Sequence, residues 1–153
     1  MSLVEERLSS FGFVLPPVVK TSGLFVPYVV SGSMIFLSGK GAPVRPATEL
    51  VPKVGAEVSV EQAQQYAQEV ALYLIALMKE AVGDLDRIQR IVKLLGMVNA
   101  VPNFMQHTEV INGCSDVFVK AFGERGQHAR SAVGMASLPK GFAVEIEAIV
   151  EFV

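Results

Sequence analysis

The chain has 153 residues, a net charge of −2 and a pI near 5.7, and 51% of its residues are hydrophobic. This length suits one domain, residues 1–153, with a single core. The weakly acidic charge offers no electrostatic attraction for nucleic acid, and no apolar run reaches the roughly 18 residues that a membrane-spanning helix needs. We therefore expect a single soluble domain whose surplus apolar surface is buried between subunits.

The N-terminal segment carries Glu5 and Glu6, so it has neither the basic nor the apolar region of a secretory signal. It ends in Pro16-Pro17, which blocks a helix and indicates an extended arm. Cys114 is the only cysteine, which excludes an intramolecular disulfide. These features favour a cytoplasmic protein.

Two strands are predicted after this arm. Residues 23–30 are typical of a strand and are followed by a tight turn at Ser31-Gly32. Residues 34–37 form a short apolar strand that is predicted to end at Ser38-Gly39. Glycine and proline then recur through residues 40–58, so this stretch is predicted to be a loop.

The clearest helix signal begins at Ser59, which forms a capping-box sequence with Gln62. Apolar residues then recur at three- and four-residue spacing over residues 63–81, the pattern of a helix with one buried face. Gly83 is placed to end this helix. A second helix is predicted over residues 112–122 and is followed by Gly123.

Three more strands complete the predicted fold. Residues 87–101 are apolar on both faces toward their middle, as expected of a central strand, and residues 144–153 alternate between an apolar face and an acidic face. Residues 131–137 are predicted to pair with that last strand through a turn at residues 138–141. The result is an α+β fold of order β-β-α-β-α-β-β, in which two helices cover one face of a single sheet and a partner subunit covers the other.

Most familiar catalytic motifs are missing from the sequence. His107 and His128 lie far apart and have no second ligand at a metal-binding spacing. No phosphate-binding loop and no serine-nucleophile elbow is present. Cys114 lies among apolar residues and is expected to be a buried small hydrophobe. We therefore expect neither a metal nor a cofactor.

Arg130 and the carboxylates of the last strand leave two interpretations open. In the first, Arg130 is a surface cation paired with Glu145 or Glu147, and the glutamates form a solvated strand face. In the second, Arg130 presents its planar guanidinium in a groove between subunits, where it binds a carboxylate through two hydrogen bonds.

Several motifs resemble the RidA/YjgF family. The C-terminal signature consists of Arg130-Ser-Ala-Val133, Leu138-Pro-Lys140 and Val144-Glu-Ile-Glu-Ala-Ile149, and two further matches are Gly83-Asp-Leu-Asp-Arg-Ile88 and Ser38-Gly39. These segments match in order from about residue 23 to the C-terminus. Residues 110–116, Phe122-Gly123 and residues 128–134 are similar to a less-characterised branch of the family.

The resemblance implies a chorismate-mutase-like fold, assembled as a homotrimer with a cleft between each pair of subunits. It implies cofactor-free hydrolysis of reactive enamines and imines to a 2-oxo acid and ammonia. By the same resemblance, Arg130 binds the substrate carboxylate, Glu145 positions the attacking water, and main-chain groups near Gly39 and Ala132 complete the pocket.

The remaining pocket positions depart from the pattern of the deaminase members. Phe25 and Phe118 fall where aromatic hydroxyls are common, Ala132 where a cysteine is common, and Lys40 where a glutamine is frequent. Lys40 adds a charge that could suit a different acidic ligand, and His128 precedes Arg130 in the same motif. The predicted pocket is therefore more apolar than that of the deaminase members.

The sequence leaves three functions open. The first is imine deamination, and the second is non-catalytic binding of a small carboxylate metabolite by a trimer. The third is RNA cleavage, because "endoribonuclease" is a name attached to some relatives; the acidic pI and the lack of clustered basic and aromatic residues argue against it.

Overall fold

The computed structural model describes residues 1–19, 23–43 and 51–153. They form a five-stranded sheet of order β1-β2-β5-β3-β4, in which only the pair β3–β4 is parallel. The elements are α1 (Leu3–Ser10), β1 (Tyr28–Ser31), β2 (Met34–Ala42), α2 (Val60–Val82), β3 (Ile88–Asn99), α3 (His107–Phe122), β4 (Ala129–Met135) and β5 (Val144–Phe152). Helices α2 and α3 pack on one face of the sheet, and α1 packs on α3. The predicted α+β class and the order of the seven predicted elements are confirmed.

Helix α2 forms as its sequence predicts. The Ser59 hydroxyl accepts a hydrogen bond from the Gln62 amide, and the Gln62 side chain accepts one from the Ser59 amide. Gly83 ends the helix with φ at 77°, a conformation that residues with a Cβ rarely adopt. Most of the apolar face of α2 is buried against the sheet and α3.

Strand β4 is an edge strand, and its predicted pairing with β5 is wrong. Arg130 lies opposite Leu94 of β3 in a parallel register, whereas β5 lies between β2 and β3. The burial of the two strands explains this order. Alternate residues of β5 are buried from Val144 to Val150, whereas every residue of β4 is exposed or half-buried, so the more apolar strand takes the interior position.

The predicted N-terminal arm contains a helix, α1, that was not predicted. Ser2 and Glu5 form a reciprocal capping box at the start of α1, and the Asp86 carboxylate accepts hydrogen bonds from the amides of Leu3 and Val4. The Ser-x-x-Glu spacing at residues 2–5 is the signal that could have identified it.

Other boundaries also differ from the prediction. Strand β1 begins at Tyr28 rather than at residue 23, since Pro27 has no amide to donate to a ladder. Strand β2 continues to Ala42, because Ser38-Gly39 forms a bulge instead of a strand end. Helix α3 begins at His107, five residues before its predicted start. Part of the predicted loop, residues 44–50, lies outside the described residues.

The core lies between the sheet and its helices, and it contains Cys114. This side chain is fully buried, as expected, and burial raises the pKa of its thiol. Among the described residues, no helix is both long enough and apolar enough to span a membrane.

The opposite face of the sheet carries exposed apolar side chains. Phe36 and Val29 lie opposite each other on β2 and β1, and Val133 and Met135 extend from β4 on the same side. No helix of the described chain packs there, so this face fits contact with further copies of the chain.

We therefore expect a homotrimer in solution. Light scattering of the eluted protein should give a mass close to three times 16.5 kDa, because the helix-free face loses its apolar exposure in that assembly. A monomer mass at micromolar concentration would contradict this expectation.

Candidate functional site

Arg130 lies on the helix-covered side of edge strand β4. Its Nη1 donates to Ser115 Oγ at 2.9 Å, and its Nη2 donates to Asn112 Oδ1 at 2.7 Å and to the Thr108 carbonyl at 3.3 Å. All three acceptors are neutral and lie on α3. The interpretation of Arg130 as a cation paired with Glu145 or Glu147 is therefore wrong for this protomer.

The α3 contacts limit how Arg130 can bind a carboxylate. A guanidinium forms two parallel hydrogen bonds to a carboxylate through one planar edge, and both such edges include Nη2. Both Nη2 hydrogens are engaged by α3, so a bidentate ligand must displace one of these acceptors. The 3.3 Å bond to Thr108 is the longer and weaker one.

His128 is joined to Arg130 through Ser115. Its Nδ1 lies 2.7 Å from the Gly126 carbonyl, which can only accept, and its Nε2 lies 2.9 Å from Ser115 Oγ. Because Arg130 donates to the same hydroxyl, the hydroxyl proton is directed to Nε2. This assigns the neutral tautomer with hydrogen on Nδ1, and burial, the largest cause, lowers the pKa of His128 in agreement.

Two predicted pocket residues near Arg130 differ in their accessibility. Phe118 is fully buried in α3, with its ring 5.8 Å from the His128 ring in an edge-on arrangement. Its predicted contact with a ligand is therefore wrong, since none of its surface is accessible. Ala132 is half-buried on the same face of β4 as Arg130.

The partners of Arg130 were not predicted. Thr108, Asn112 and Ser115 follow each other at four- and three-residue spacing on one side of α3. That helical spacing of short polar residues, upstream of the Arg130 motif, is the signal that could have found them.

Glu145 lies on the opposite, helix-free face of the sheet. A Cβ on Gly39 would overlap its Oε1, so the carboxylate lies directly over the Gly39 backbone. Partial burial, followed by repulsion from Glu147, raises the pKa of Glu145 above its ordinary value. The glycine at the β2 bulge is thus what makes room for the carboxylate.

A pocket of about 230 Å³ opens beside Gly39. It contains three predicted site residues, Phe25, Gly39 and Lys40, and its other walls include Tyr73, Lys140 and Phe142, which were not predicted. The pocket lies where β2 runs on beyond the end of β1, so this edge of β2 has no paired strand among the described residues. Lys140 belongs to the Leu-Pro-Lys motif, and that motif could have identified it as a pocket residue.

Arg130 and Glu145 do not meet within one chain. They lie on opposite faces of the sheet, and β3 separates their strands. The strand axes are two spacings apart, roughly 10 Å. The structure therefore gives two half-sites, one around Glu145 and the pocket and one around Arg130 and α3.

Gly39 offers a direct way to displace the Glu145 carboxylate. The methyl group of Gly39→Ala would overlap Oε1, so any activity that depends on Glu145 should fall by about 10–100-fold because the carboxylate moves by roughly an ångström. Gly23→Ala is the matched control, since nothing lies within 4 Å of a Cβ there. Equal turnover by the two variants would show that the contact is irrelevant.

The fold and the two half-sites define a small α+β protein with a carboxylate and a guanidinium on separate faces of one sheet. Residues 5–144 match the family model described as "YjgF/chorismate_mutase-like, putative endoribonuclease". The chain therefore belongs to the RidA/YjgF family and has its chorismate-mutase-like fold.

Three known proteins illustrate this relationship. Protein TCP17 of Trypanosoma cruzi is 40% identical over 149 residues, which cover 97% of this chain and 93% of that protein. The crystal structure of Atu1372 from Agrobacterium tumefaciens, a protein of unknown function, is similar with a TM-score of 0.87 and 41% identity, covering 99% and 94% of the two chains. RidA from an Antarctic Psychrobacter is more distant, with a TM-score of 0.56, 25% identity and coverage of 86% and 91%.

Proposed function

We propose that the protein is a cofactor-free deaminase that hydrolyses reactive 2-imino acids, and their enamine tautomers, to 2-oxo acids and ammonia. The observation that carries this proposal is the position of Glu145. Its carboxylate lies over Gly39, which lines a pocket large enough for a small ligand, and partial burial raises the pKa of this carboxyl, which favours a role in proton transfer.

The proposed chemistry uses Glu145 as the base. Glu145 accepts a proton from water while the oxygen attacks the imine carbon, and it then returns this proton to the nitrogen, which gives a carbinolamine. The carbinolamine hydroxyl next gives its proton through Glu145 to the nitrogen, the C–N bond breaks as the C=O bond forms, and ammonia leaves. An imine is already electrophilic, so positioning and one proton relay are sufficient.

Substrate orientation is assigned to Arg130 of the partner subunit. Within one chain, Arg130 faces α3 and Glu145 faces the helix-free side, so a site that uses both needs two copies. The guanidinium would give up its long bond to Thr108 and bind the substrate carboxylate. Belonging to the RidA/YjgF family supports this arrangement.

An assay with 2-iminopropanoate tests the proposal. The imine is generated in the cuvette by an amino acid oxidase or dehydratase, and the formation of 2-oxo acid is followed with and without the protein. We expect a protein-dependent acceleration that is lost in Glu145→Gln. Absence of any acceleration, with 2-oxo acids still bound, would contradict catalysis.

That last outcome would favour the second candidate, a trimeric binder of carboxylate metabolites. One observation favours it: Phe25 is at the pocket without a hydroxyl group, so the pocket has fewer polar groups to orient water. RNA cleavage has no such support, because the net charge of −2 provides no overall attraction for a polyanion.

A further inference from the structure

Two lysines line the pocket beside Gly39, and the proposed reaction uses neither of them. Lys40 extends from β2 and Lys140 from the turn that precedes β5. Both line the same pocket, whose volume is about 230 Å³. Within residues 1–19, 23–43 and 51–153, the lysines that form ion pairs with carboxylates are Lys79 and Lys120. None of the described residues that line this pocket is acidic, so it holds two cations and no carboxylate.

The position of Lys40 makes this arrangement unfavourable without an anion. Its Nζ lies 4.0 Å from the centre of the Tyr73 ring, which holds the half-buried ammonium in place. Burial, and then repulsion from Lys140, lowers the pKa of Lys40. An anion bound between the two ammonium groups would relieve both the lost solvation and the repulsion.

The other pocket walls set the shape of such an anion. Phe25, Tyr73 and Phe142 provide aromatic surface, and the Phe142 ring lies directly over Gly41. The space is too small for a nucleotide or peptide and fits a chain of a few carbons with a charged end. Glu145 contacts Gly39, and Gly39 lines the pocket, so a substrate attacked beside Gly39 can place its side chain in the pocket.

We propose that this pocket binds the side-chain carboxylate of a dicarboxylic 2-imino or 2-oxo acid between Lys40 and Lys140. The inference rests on the proposed function, in which Arg130 of the partner subunit binds the carboxylate next to the reacting carbon. The preferred substrate is then a dianion, and the two lysines determine that specificity.

Calorimetric titration with two product-like acids tests the inference. The acids are 2-oxoglutarate and 5-methyl-2-oxohexanoate, in which an isopropyl group replaces the second carboxylate at nearly equal size. We expect 2-oxoglutarate to bind about ten- to a hundredfold more tightly, because charge-assisted hydrogen bonds form to the lysines. Equal or tighter binding of the isopropyl acid overturns the inference.

Lysine variants test whether Lys40 and Lys140 cause the preference for 2-oxoglutarate. Lys40→Gln and Lys140→Gln should each reduce the preference for 2-oxoglutarate about tenfold or more and leave the affinity for the isopropyl acid unchanged. Lys140→Arg should retain the preference. Lys120→Gln is the matched control, since it removes one positive charge from α3 outside the pocket. If the lysine variants change only the mass or stability of the oligomer, the lysines pair with a carboxylate of a partner subunit. That result overturns the inference.

The two proposals fail in different ways. Selective binding of 2-oxoglutarate through Lys40 and Lys140 without imine hydrolysis supports the dianion site and contradicts the deaminase. Hydrolysis of 2-iminopropanoate with no preference for the dianion supports the deaminase and overturns the dianion site. If neither acid binds at millimolar concentration, both are wrong.

Discussion

Replacing Glu145 by glutamine should lower kcat for imine hydrolysis by about 10²–10⁴-fold and leave the affinity for 2-oxo acids nearly unchanged. The amide has the shape of the carboxylate and can occupy the same space over Gly39, but it cannot accept a proton from water. The measurements are initial rates on generated imine and calorimetric titration with a 2-oxo acid.

Glu147→Gln provides the control for this result. Glu147 is the next carboxylate on the same face of β5 and is exposed, so its loss removes the same charge without touching the pocket. Its kcat should stay within a few-fold of the parent. Equal losses in the two variants would mean that the charge of this strand, rather than a base at Glu145, supports the reaction.

The pH profile follows from the same group. Because the folded protein raises the pKa of Glu145, the basic form is lost as the pH falls through that raised value, and kcat falls with it. Glu147→Gln removes the second cause of the shift, so it should move the acid limb of the profile to lower pH. A limb that does not move would contradict Glu145 as the titrating base.

Replacing Arg130 by lysine should weaken carboxylate binding by tenfold or more, nearly as much as replacement by alanine. Lysine keeps the charge but loses the planar pair of donors, and one ammonium cannot serve Ser115, Asn112 and Thr108 in the geometry of the guanidinium. We therefore also expect a loss of about 1–3 kcal/mol in the free energy of unfolding.

Unfolding and titration experiments on the same samples separate these two effects. Arg90→Lys is the control, because Arg90 is an exposed arginine of β3. If Arg130→Lys binds every carboxylate ligand as the parent does but is less stable, then Arg130 is a structural link between β4 and α3. The role assigned to it in the substrate site would then be wrong.

Local signals in the sequence predicted helix α2 and the last strand well. The capping box at Ser59 and the glycine at 83 are read directly from neighbouring residues, and the alternation in β5 follows from the two faces of one strand. The pairing of β4 depends instead on which strands are buried on both sides. The position of each strand depends on the burial of the whole sheet. The short turn before β5 wrongly indicated that β4 pairs with β5.

In the candidate site, too, local motifs identified single residues but not how the fold arranges them. The motifs identified Arg130 and Glu145, but no spacing along the chain reveals that they face opposite sides of the sheet. Lys140 and Tyr73 are distant from Lys40 in sequence and come together only in the folded pocket. Phe118 matched a pocket position by motif, yet the helical turn places it in the core.

Mixing two inactive variants tests the shared site most directly. Arg130→Ala and Glu145→Gln chains are co-expressed with different affinity tags, and oligomers that carry both tags are purified. In a trimer that carries both tags, a site that takes Glu145 from one chain and Arg130 from the next is intact at one of the three interfaces. We therefore predict that the mixed oligomers regain a comparable share of the parent imine-hydrolysing activity, whereas each variant alone is inactive. Mixed oligomers as inactive as the single variants would contradict a site shared between subunits.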